Sequence, residues 1–216
     1  MLVVTGYPLT KKTELIPSSE NECPLPDFPI SLYGAVGFTT AQGPVVCGGE
    51  KEDCFILKGQ DWTHWASMRT EREGAAVLKL NDDKALILGG RNENGHLSSS
   101  EILSSNGFED AEINFPVTIA YHCMMRFNES LALVTGGRQD GSTSDATWIL
   151  NTESKMVTPG PRMKSGRSGH GCATLHLGDK TFGLVAGGFN RSYRVLDHTE
   201  FMDFGQENPS WTDGKQ

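Results

Sequence analysis

The sequence repeats one short pattern, an apolar run that ends in two adjacent glycines. The four clear copies end in Gly48-Gly49, Gly89-Gly90, Gly136-Gly137 and Gly187-Gly188. A weaker copy at Gly6 opens the chain, and from there the first glycines follow one another at steps of 42, 41, 47 and 51 residues. Periods of roughly 40 to 50 residues are typical of repeat proteins in which each repeat is a small unit that stacks on its neighbours. The chain is therefore predicted to be one domain of stacked repeats.

The segments on both sides of each doublet repeat as well. Upstream by 14 to 17 residues, at the start of a run of small and apolar residues, the sequence has Tyr33, Ala75, Tyr121 and His170. Downstream, a polar or acidic residue precedes apolar ones, as in Ser100–Leu103 and Thr199–Met202. Short β-branched and aromatic runs bounded by Gly, Pro and Asn indicate strands. With a less regular fourth segment, each repeat is predicted to hold four antiparallel strands, so the fold class is all-β.

The segments Trp62–Arg72 and Pro161–His170, together with the doublets, resemble the kelch-repeat family. The resemblance implies a β-propeller of about five blades. The approximate blades are 1–30, which lacks its first strand, then 31–68, 69–116, 117–161 and 162–216, within the single domain 1–216. Kelch-like rings usually have about six or seven blades, within the range known for propellers. We therefore expect a fragment of a longer ring, with an unusual five-bladed ring or an open arc as the alternative.

Composition excludes some classes of partner. The net charge of −8 and the sequence pI of 5.2 leave no broad basic surface, so we expect neither nucleic acid nor anionic lipid to be the partner. No apolar run approaches the roughly 18 residues that a membrane-spanning helix needs. No signal peptide is visible at the start of the sequence. The compartment stays open between cytoplasm and extracellular space.

The five cysteines show no Cys-x-x-Cys pair and no other zinc-ligand spacing, so neither a metal nor a cofactor is expected. They are Cys23, Cys47, Cys54, Cys123 and Cys172. Cys47 and Cys54 flank a predicted hairpin turn, which allows either a disulfide or two small buried side chains. Asn128 and Asn190 begin glycosylation sequons in predicted loops, which a secreted protein could use.

The resemblance implies a scaffold for protein–protein interaction, in which the loops after the doublets and the loops that enter the first strands share one face. The candidate partner-binding residues in these loops are Glu50, Asp53, Arg69, Arg91, Asn92, His96, Arg138, Asp140, Asn190, Arg191 and Arg194. Because a guanidinium offers paired donors to a carboxylate, an acidic protein or peptide segment is the expected partner. Arg72 and Arg167 either join this surface or hold their blades together by bonding backbone carbonyls, and the second interpretation is favoured.

We expect no enzyme and no catalytic residue, because no nucleophile elbow or phosphate loop appears. Tyr121-His122-Cys123 supplies the residue types of a copper oxidase with kelch-like blades. Strand alternation would place His122 on the opposite face from its neighbours, so the stretch is interpreted as a core strand. A divergent, inactive oxidase-like propeller is the weakest alternative. A secreted propeller that binds glycan or extracellular matrix is the stronger one.

Overall fold

In the computed structural model, residues 2–4, 10–15, 25–104 and 107–214 are described. Their regular secondary structure consists of β-strands. In chain order the strands are β1 (Leu2–Val4), β2 (Thr13–Leu15), β3 (Ala35–Thr40), β4 (Gly43–Gly48), β5 (Asp53–Lys58), β6 (Asp61–Ser67), β7 (Ala76–Lys79), β8 (Ala85–Leu88), β9 (Arg91–Asn92), β10 (Gly95–His96), β11 (Ser100–Ser104), β12 (Gly107–Asp110), β13 (Cys123–Arg126), β14 (Leu131–Thr135), β15 (Arg138–Gln139), β16 (Ser142–Thr143), β17 (Thr147–Asn151), β18 (Val157–Pro159), β19 (Gly171–Leu177), β20 (Lys180–Ala186), β21 (Thr199–Asp203) and β22 (Thr212–Asp213).

These strands form four antiparallel sheets of four strands each. The sheets are blade I (β3 to β6), blade II (β7, β8, β11 and β12), blade III (β13, β14, β17 and β18) and blade IV (β19 to β22). Their inner strands touch in the order β3, β7, β13 and β19. Three further sheets have two strands each: β1 with β2, β9 with β10, and β15 with β16. The predicted all-β propeller fold is confirmed.

The number of four-stranded blades differs from the five predicted, since the described residues form four. Over its described residues the N-terminal repeat contributes the β1–β2 ladder and one bridge between Thr10 and Leu32. Its glycine copy at Gly6, like Cys23, lies outside the described residues. The predicted fourth strand of this repeat is absent from 25–30. Phe28 is instead buried against Phe55 and Trp62 of blade I, with ring centroids 5.3 and 4.9 Å away. This segment packs on the neighbouring blade through side chains rather than through strand pairing.

The core is divided among the spaces between adjacent blades. Every residue of β8 is buried, because both faces of this strand are covered by neighbouring blades. One apolar cluster joins blades I and II through residues such as Val45 and Ile87, and the next joins blades II and III through Leu88 and Met124. Burial of this kind explains why the strand before each doublet is continuously apolar instead of alternating.

The glycine doublets are the points where each blade meets the next. Gly89 and Gly136 have φ angles of +64° and +61°, and a Cβ on either would lie 2.4 Å from a carbonyl oxygen at the entry to the following blade. The N–H of the second glycine donates to that same carbonyl, at 2.8 Å for Gly90 and Ile119. Glycine is required here because no other residue combines this backbone conformation with so close an approach.

Two buried ion pairs fasten the segments that enter blades II and IV. Arg72 bonds Glu101 at 3.0 Å and also donates to the carbonyl oxygens of Gly89 and Ser99. Arg167 and Glu200 repeat the arrangement, with 2.7 Å between Nη2 and Oε1 and neither side chain exposed. Both arginines therefore hold their blades together, and removal of one partner from such a pair costs about 3–5 kcal/mol.

Two disulfides tie the strands covalently. Cys47 and Cys54 face each other across β4 and β5 and form a disulfide within blade I. A second disulfide joins Cys123 of blade III to Cys172 of blade IV, which are 49 residues apart in the chain. A crosslink that closes a loop of this length restricts the unfolded chain by about 4 kcal/mol in the loop-entropy account. The sulfur of Cys123 is thereby committed to Cys172 and does not join Tyr121.

Candidate functional site

One face of the propeller repeats a short backbone bridge in three blades. The residue after a doublet exchanges two backbone hydrogen bonds with a residue that enters the first strand. The bridged pairs are Arg91 with Glu73, Arg138 with Ala120, and Phe189 with Ser168. Side chains on these pairs thus emerge beside one another where the inner strands of neighbouring blades meet.

A cavity of about 690 Å³ opens at this place. Its lining residues are Tyr33, Arg91, His96, Tyr121, Arg138, Ser168, Gly169, Phe189 and Tyr193. The lining combines four aromatic rings with two guanidinium groups and one imidazole. This volume lies inside the range of about 300–1,000 Å³ that is typical of ligand-binding cavities.

Two cavity-lining residues with side chains, Tyr121 and Tyr193, have a positive φ of +56°, and that of Tyr121 falls at a position that repeats from blade to blade. At the equivalent point the other blades have Gly34, Gly74 and Gly169, all with φ between +62° and +68°. These four residues are linked by backbone bonds of 2.6 to 2.8 Å from blade to blade. A residue with a side chain costs about 1–2 kcal/mol in this conformation. Among these four equivalent positions, Tyr121 is the one that carries a side chain, and this side chain lines the cavity.

The predicted equivalence of Tyr121 with residues of the other first strands is therefore wrong. The sequence comparison matched Tyr121 with Tyr33, Ala75 and His170, whereas the backbone matches it with glycines. The interpretation of Tyr121-His122-Cys123 as a core strand is also wrong, because β13 begins only at Cys123. Tyr121, with its positive φ, belongs to the segment that enters the blade and not to the strand.

Glu73, Arg91 and Tyr121 form a closed polar cluster, which we call the Arg91 corner. Tyr121 Oη donates to Glu73 Oε1, Arg91 Nη2 donates to Glu73 Oε2 at 2.7 Å, and Arg91 Nε donates to Tyr121 Oη at 3.0 Å. The Glu73 side chain is only 3% exposed. Burial, followed by the bond to Glu73, raises the pKa of the Tyr121 phenol, and the same carboxylate raises the pKa of Arg91. The carboxylate, the phenol and the guanidinium of this corner therefore each bond the other two.

Ala120, Arg138 and Tyr193 occupy the corresponding place in the next blade, which we call the Arg138 corner. The guanidinium of Arg138 donates to the carbonyl oxygen of Gly141 at 3.2 Å and lies 4.9 Å from the centroid of the Tyr193 ring. In the part of the chain that the structure describes, no carboxylate lies within ion-pair distance of it. Ala120 stands where the Arg91 corner has its glutamate.

His96 lies between the two corners on the cavity wall. Burial lowers its pKa, the positive charges of Arg138 and Arg91 lower it further, and Asp140 acts in the opposite direction. The imidazole is therefore mainly neutral at pH 7 and would become charged more readily if an anion entered the cavity.

In each corner, a histidine of the following blade packs against the first glycine of the doublet. The ring of His122 lies against Gly89 and the ring of His170 against Gly136. His170 Nε2 lies 2.9 Å from Thr135 Oγ1. Neither ring nitrogen of the buried His122 has a hydrogen-bond partner among the described residues, because the residue at the position of Thr135 is Leu88. Burial lowers the pKa of each to about 3, with a smaller contribution from His170 to His122 and from Arg167 to His170.

No protein-family model and no curated protein matches this sequence. Among solved structures, the chain is similar to that titled "Structure of YjhT", with a TM-score of 0.73 and 17% sequence identity. The match covers 88% of this chain and 67% of that one. At this identity the similarity shows the propeller fold alone, so the kelch assignment remains a resemblance carried by the repeats.

Three of the predicted binding residues, Arg91, His96 and Arg138, line the cavity. Asn190 and Arg191 line a separate, smaller cavity of about 450 Å³. The remaining predicted binding residues lie outside both cavities: Glu50, Asp53, Arg69, Asn92, Asp140 and Arg194. The structure thus brings Arg91, His96 and Arg138 to one cavity and leaves the other predicted binding residues outside it, among them Asn92 and Asp140 of the same two loops.

Several of these outer residues have local contacts. Asp53 Oδ1 lies 3.2 Å from both His64 Nε2 and Ser67 Oγ at the edge of blade I. Asn92 and Asn190 stabilise their own turns by accepting backbone N–H bonds, as at 2.9 Å from Ser192. The other sequon residue, Asn128, is exposed and also accepts bonds from its own turn.

The aromatic part of the site is not among the predicted binding residues. Tyr33 and Tyr121 are predicted as strand starts, Tyr121 also as part of the oxidase-like stretch, and Glu73, Phe189 and Tyr193 are not predicted to bind. An alignment on the residue before each first strand would have revealed Tyr121, because it breaks a row of glycines. Among the described residues no three metal-ligating side chains come together, and no helix there is long and apolar enough to cross a membrane.

Proposed function

We propose that this chain is a binding module that holds a protein or peptide segment in the cavity between the Arg91 and Arg138 corners. The observation that carries the proposal is the combination of four aromatic rings with a guanidinium that has no carboxylate partner among the described residues. Tyrosine and arginine are enriched among the residues that dominate binding energy at interfaces. The role proposed is binding and not catalysis, because the Arg91 corner uses its acid, its phenol and its base to satisfy one another.

Exposed apolar side chains extend the cavity onto the loop 189–195. Phe189 and Tyr193 are 45% and 66% exposed, and a bridge between Phe189 and Val195 holds the loop as a narrow hairpin. Apolar and aromatic side chains left exposed beside a cavity mark an interaction surface. A bound segment would cover these rings and gain apolar burial in addition to polar contacts.

The test is selection of binding peptides from a random displayed library on the purified chain. The selected peptides should lose roughly tenfold or more in affinity for a Phe189→Ser, Tyr193→Ser double variant, since two aromatic contacts are removed. Val195→Ser is the matched control, because Val195 is 72% exposed on the same hairpin and does not line the cavity. Failure to enrich any peptide, or equal binding by the double variant, would exclude the cavity as the peptide site.

Binding of glycan or matrix in an oxidising compartment is the second candidate, favoured by the two disulfides. Disulfides persist mainly in secreted proteins, and aromatic rings around a cavity also suit the flat faces of sugars. Of the five cysteines, the two disulfides use four, so the unfolded chain without reductant should show one reactive thiol. Five reactive thiols in the unfolded chain without reductant would remove the support for this candidate, and binding to a glycan array would strengthen it.

A further inference from the structure

We propose that Arg138 is the receptor for a carboxylate group of the bound molecule, which takes the place that Glu73 has beside Arg91. The inference deepens the proposed function and rests on it, because it identifies the chemical group that the cavity recognises.

Arg91 and Arg138 make the same two backbone hydrogen bonds, each with a residue that enters the first strand. Arg91 N–H donates to Glu73 O at 2.8 Å and receives the Glu73 N–H at 2.9 Å. Arg138 makes the same exchange with Ala120, at 2.7 and 3.1 Å. Each arginine is also the residue directly after a doublet whose glycines lie in the left-handed region. The side chains therefore start from equivalent points and differ only in what stands opposite.

The residue opposite the guanidinium differs between the two corners. In the Arg91 corner a nearly buried carboxylate satisfies the arginine from within the protein. In the Arg138 corner the methyl group of Ala120 offers no acceptor, and Ala120 is fully buried. A guanidinium has five N–H donors in a planar fork that matches a carboxylate. The described contacts of Arg138 use one of its terminal nitrogens, which donates to Gly141 O.

An aromatic ring and few other charges surround the guanidinium of Arg138. The guanidinium carbon of Arg138 lies over the Tyr193 ring, a cation–π contact that uses none of the N–H donors. Two arginines line the cavity, and Glu73 neutralises Arg91. Asp140 acts on the nearby His96 but forms no ion pair with Arg138 among the described residues. Among the described lining residues, Arg138 is thus the guanidinium without a carboxylate partner, and it lies beside aromatic walls. A single carboxylate next to an apolar group fits that charge, whereas a doubly charged phosphate would need a second free cation.

The experiment uses two probes that differ only in charge, N-acetylphenylalanine and its carboxamide. Binding is followed through the arginine side-chain Nε–H signals in NMR spectra of the purified chain. We expect the acid to bind with a Kd of about 1 mM and to move the signal of Arg138 but not that of Arg91. The affinity of the carboxamide should be lower by a factor of roughly ten or more, because a hydrogen-bonded charge pair is lost.

Variants separate recognition of the carboxylate from simple attraction. Arg138→Gln should abolish the preference for the acid, and Arg138→Lys should retain only part of it because an ammonium lacks the planar fork. Arg69→Gln is the matched control, since Arg69 is exposed and lies outside the cavity. Glu73→Gln should free Arg91, so that the acid now moves the signals of both arginines.

The outcomes also distinguish this inference from the proposed function. Equal binding of acid and carboxamide, with cavity signals moved by both, would overturn the carboxylate site while leaving the cavity as a binding site. An undiminished preference for the acid in Arg138→Gln would overturn it as well. No shift of the Arg138 signal up to about 10 mM of acid, well above the expected Kd, would do the same, and the peptide selection would still test the proposed function independently.

Discussion

The Arg91 corner and the Arg138 corner show how one repeated backbone can serve two purposes. Both place an arginine after a glycine doublet and bond it to the entry of a first strand. One arginine meets a buried glutamate and a tyrosine and becomes part of the structure. The other lies beside an alanine and over the Tyr193 ring, and no carboxylate among the described residues pairs with it. If the proposed carboxylate site is correct, this repeat gained a site because it lacks the partner that satisfies the equivalent arginine in the other repeat.

The largest expected effect concerns the histidines that close the two corners. His122 and His170 have pKa values lowered to about 3, against an ordinary value of 6.5. The folded protein keeps both neutral while the unfolded chain takes up protons below pH 6.5. Stability is therefore fully present above pH 6.5 and falls between 6.5 and 3, by about 1.4 kcal/mol per pH unit for each histidine. Urea unfolding at a series of pH values measures this slope.

Substitution of each histidine in turn sharpens the comparison. His122→Leu should make the slope shallower without a loss at pH 7, because its ring nitrogens have no partner to lose. His170→Leu should reduce the slope equally but cost about 1 kcal/mol at pH 7 through the lost bond to Thr135. An unchanged slope in both variants would show that other groups cause the acid sensitivity.

The next effect is the stability that each corner contributes. Glu73→Ala should lower the free energy of unfolding by about 2 kcal/mol, because a buried acceptor of two hydrogen bonds is removed and the exposed part of Arg91 limits the loss. Arg138→Ala should change it by less than about 0.5 kcal/mol, as is usual for a side chain outside the core. Urea titration at pH 7.5 measures both. Equal losses would mean that the Arg138 corner is structural too.

A smaller difference is expected between the two tyrosines. Tyr121→Phe removes a hydroxyl that donates to Glu73 and accepts from Arg91, so a loss of about 1 kcal/mol is expected. Tyr193→Phe keeps the ring over Arg138 and removes only an exposed hydroxyl, so no measurable change in the free energy of unfolding is expected. Thermal unfolding of the two variants beside the unchanged chain makes the comparison, and a loss in Tyr193→Phe as large as that in Tyr121→Phe would contradict it.

The fold could be predicted from the sequence because the residues that join the blades are themselves the repeat. Gly89 and Gly136 recur where a carbonyl of the next blade approaches too closely for any side chain. The N-terminal repeat could not be predicted as well, since Phe28 packs by its side chain on blade I and leaves no periodic backbone signal. The Cys47–Cys54 disulfide follows from pairing within one hairpin, whereas Cys123–Cys172 depends on how two blades stack and has no counterpart in local spacing.

The candidate site was predictable only in its charged part. Arg91 and Arg138 stand directly after doublets, so their place on the loop face follows from the repeat. Glu73 and Ala120 look unremarkable in the sequence, and their importance appears only once the bridges pair them with the arginines. Tyr193 lies on a hairpin that the repeat pattern does not specify, so its contact with Arg138 could not be inferred from spacing.

The smallest expected effect links binding at the Arg138 corner to pH through His96. The positive charges of Arg138 and Arg91, added to burial, hold the pKa of His96 below 6.5. A carboxylate bound at Arg138 offsets that charge and raises the pKa, so protonated His96 and the bound acid favour each other. As the pH falls from 8 to 5, the affinity for N-acetylphenylalanine should rise by a factor of about three, the scale of a solvent-screened charge pair. Isothermal titration at several pH values measures the trend, and His96→Gln should flatten it. A rise that persists in His96→Gln would assign the proton to another group, and an affinity that falls with decreasing pH would contradict the presence of an anion beside His96.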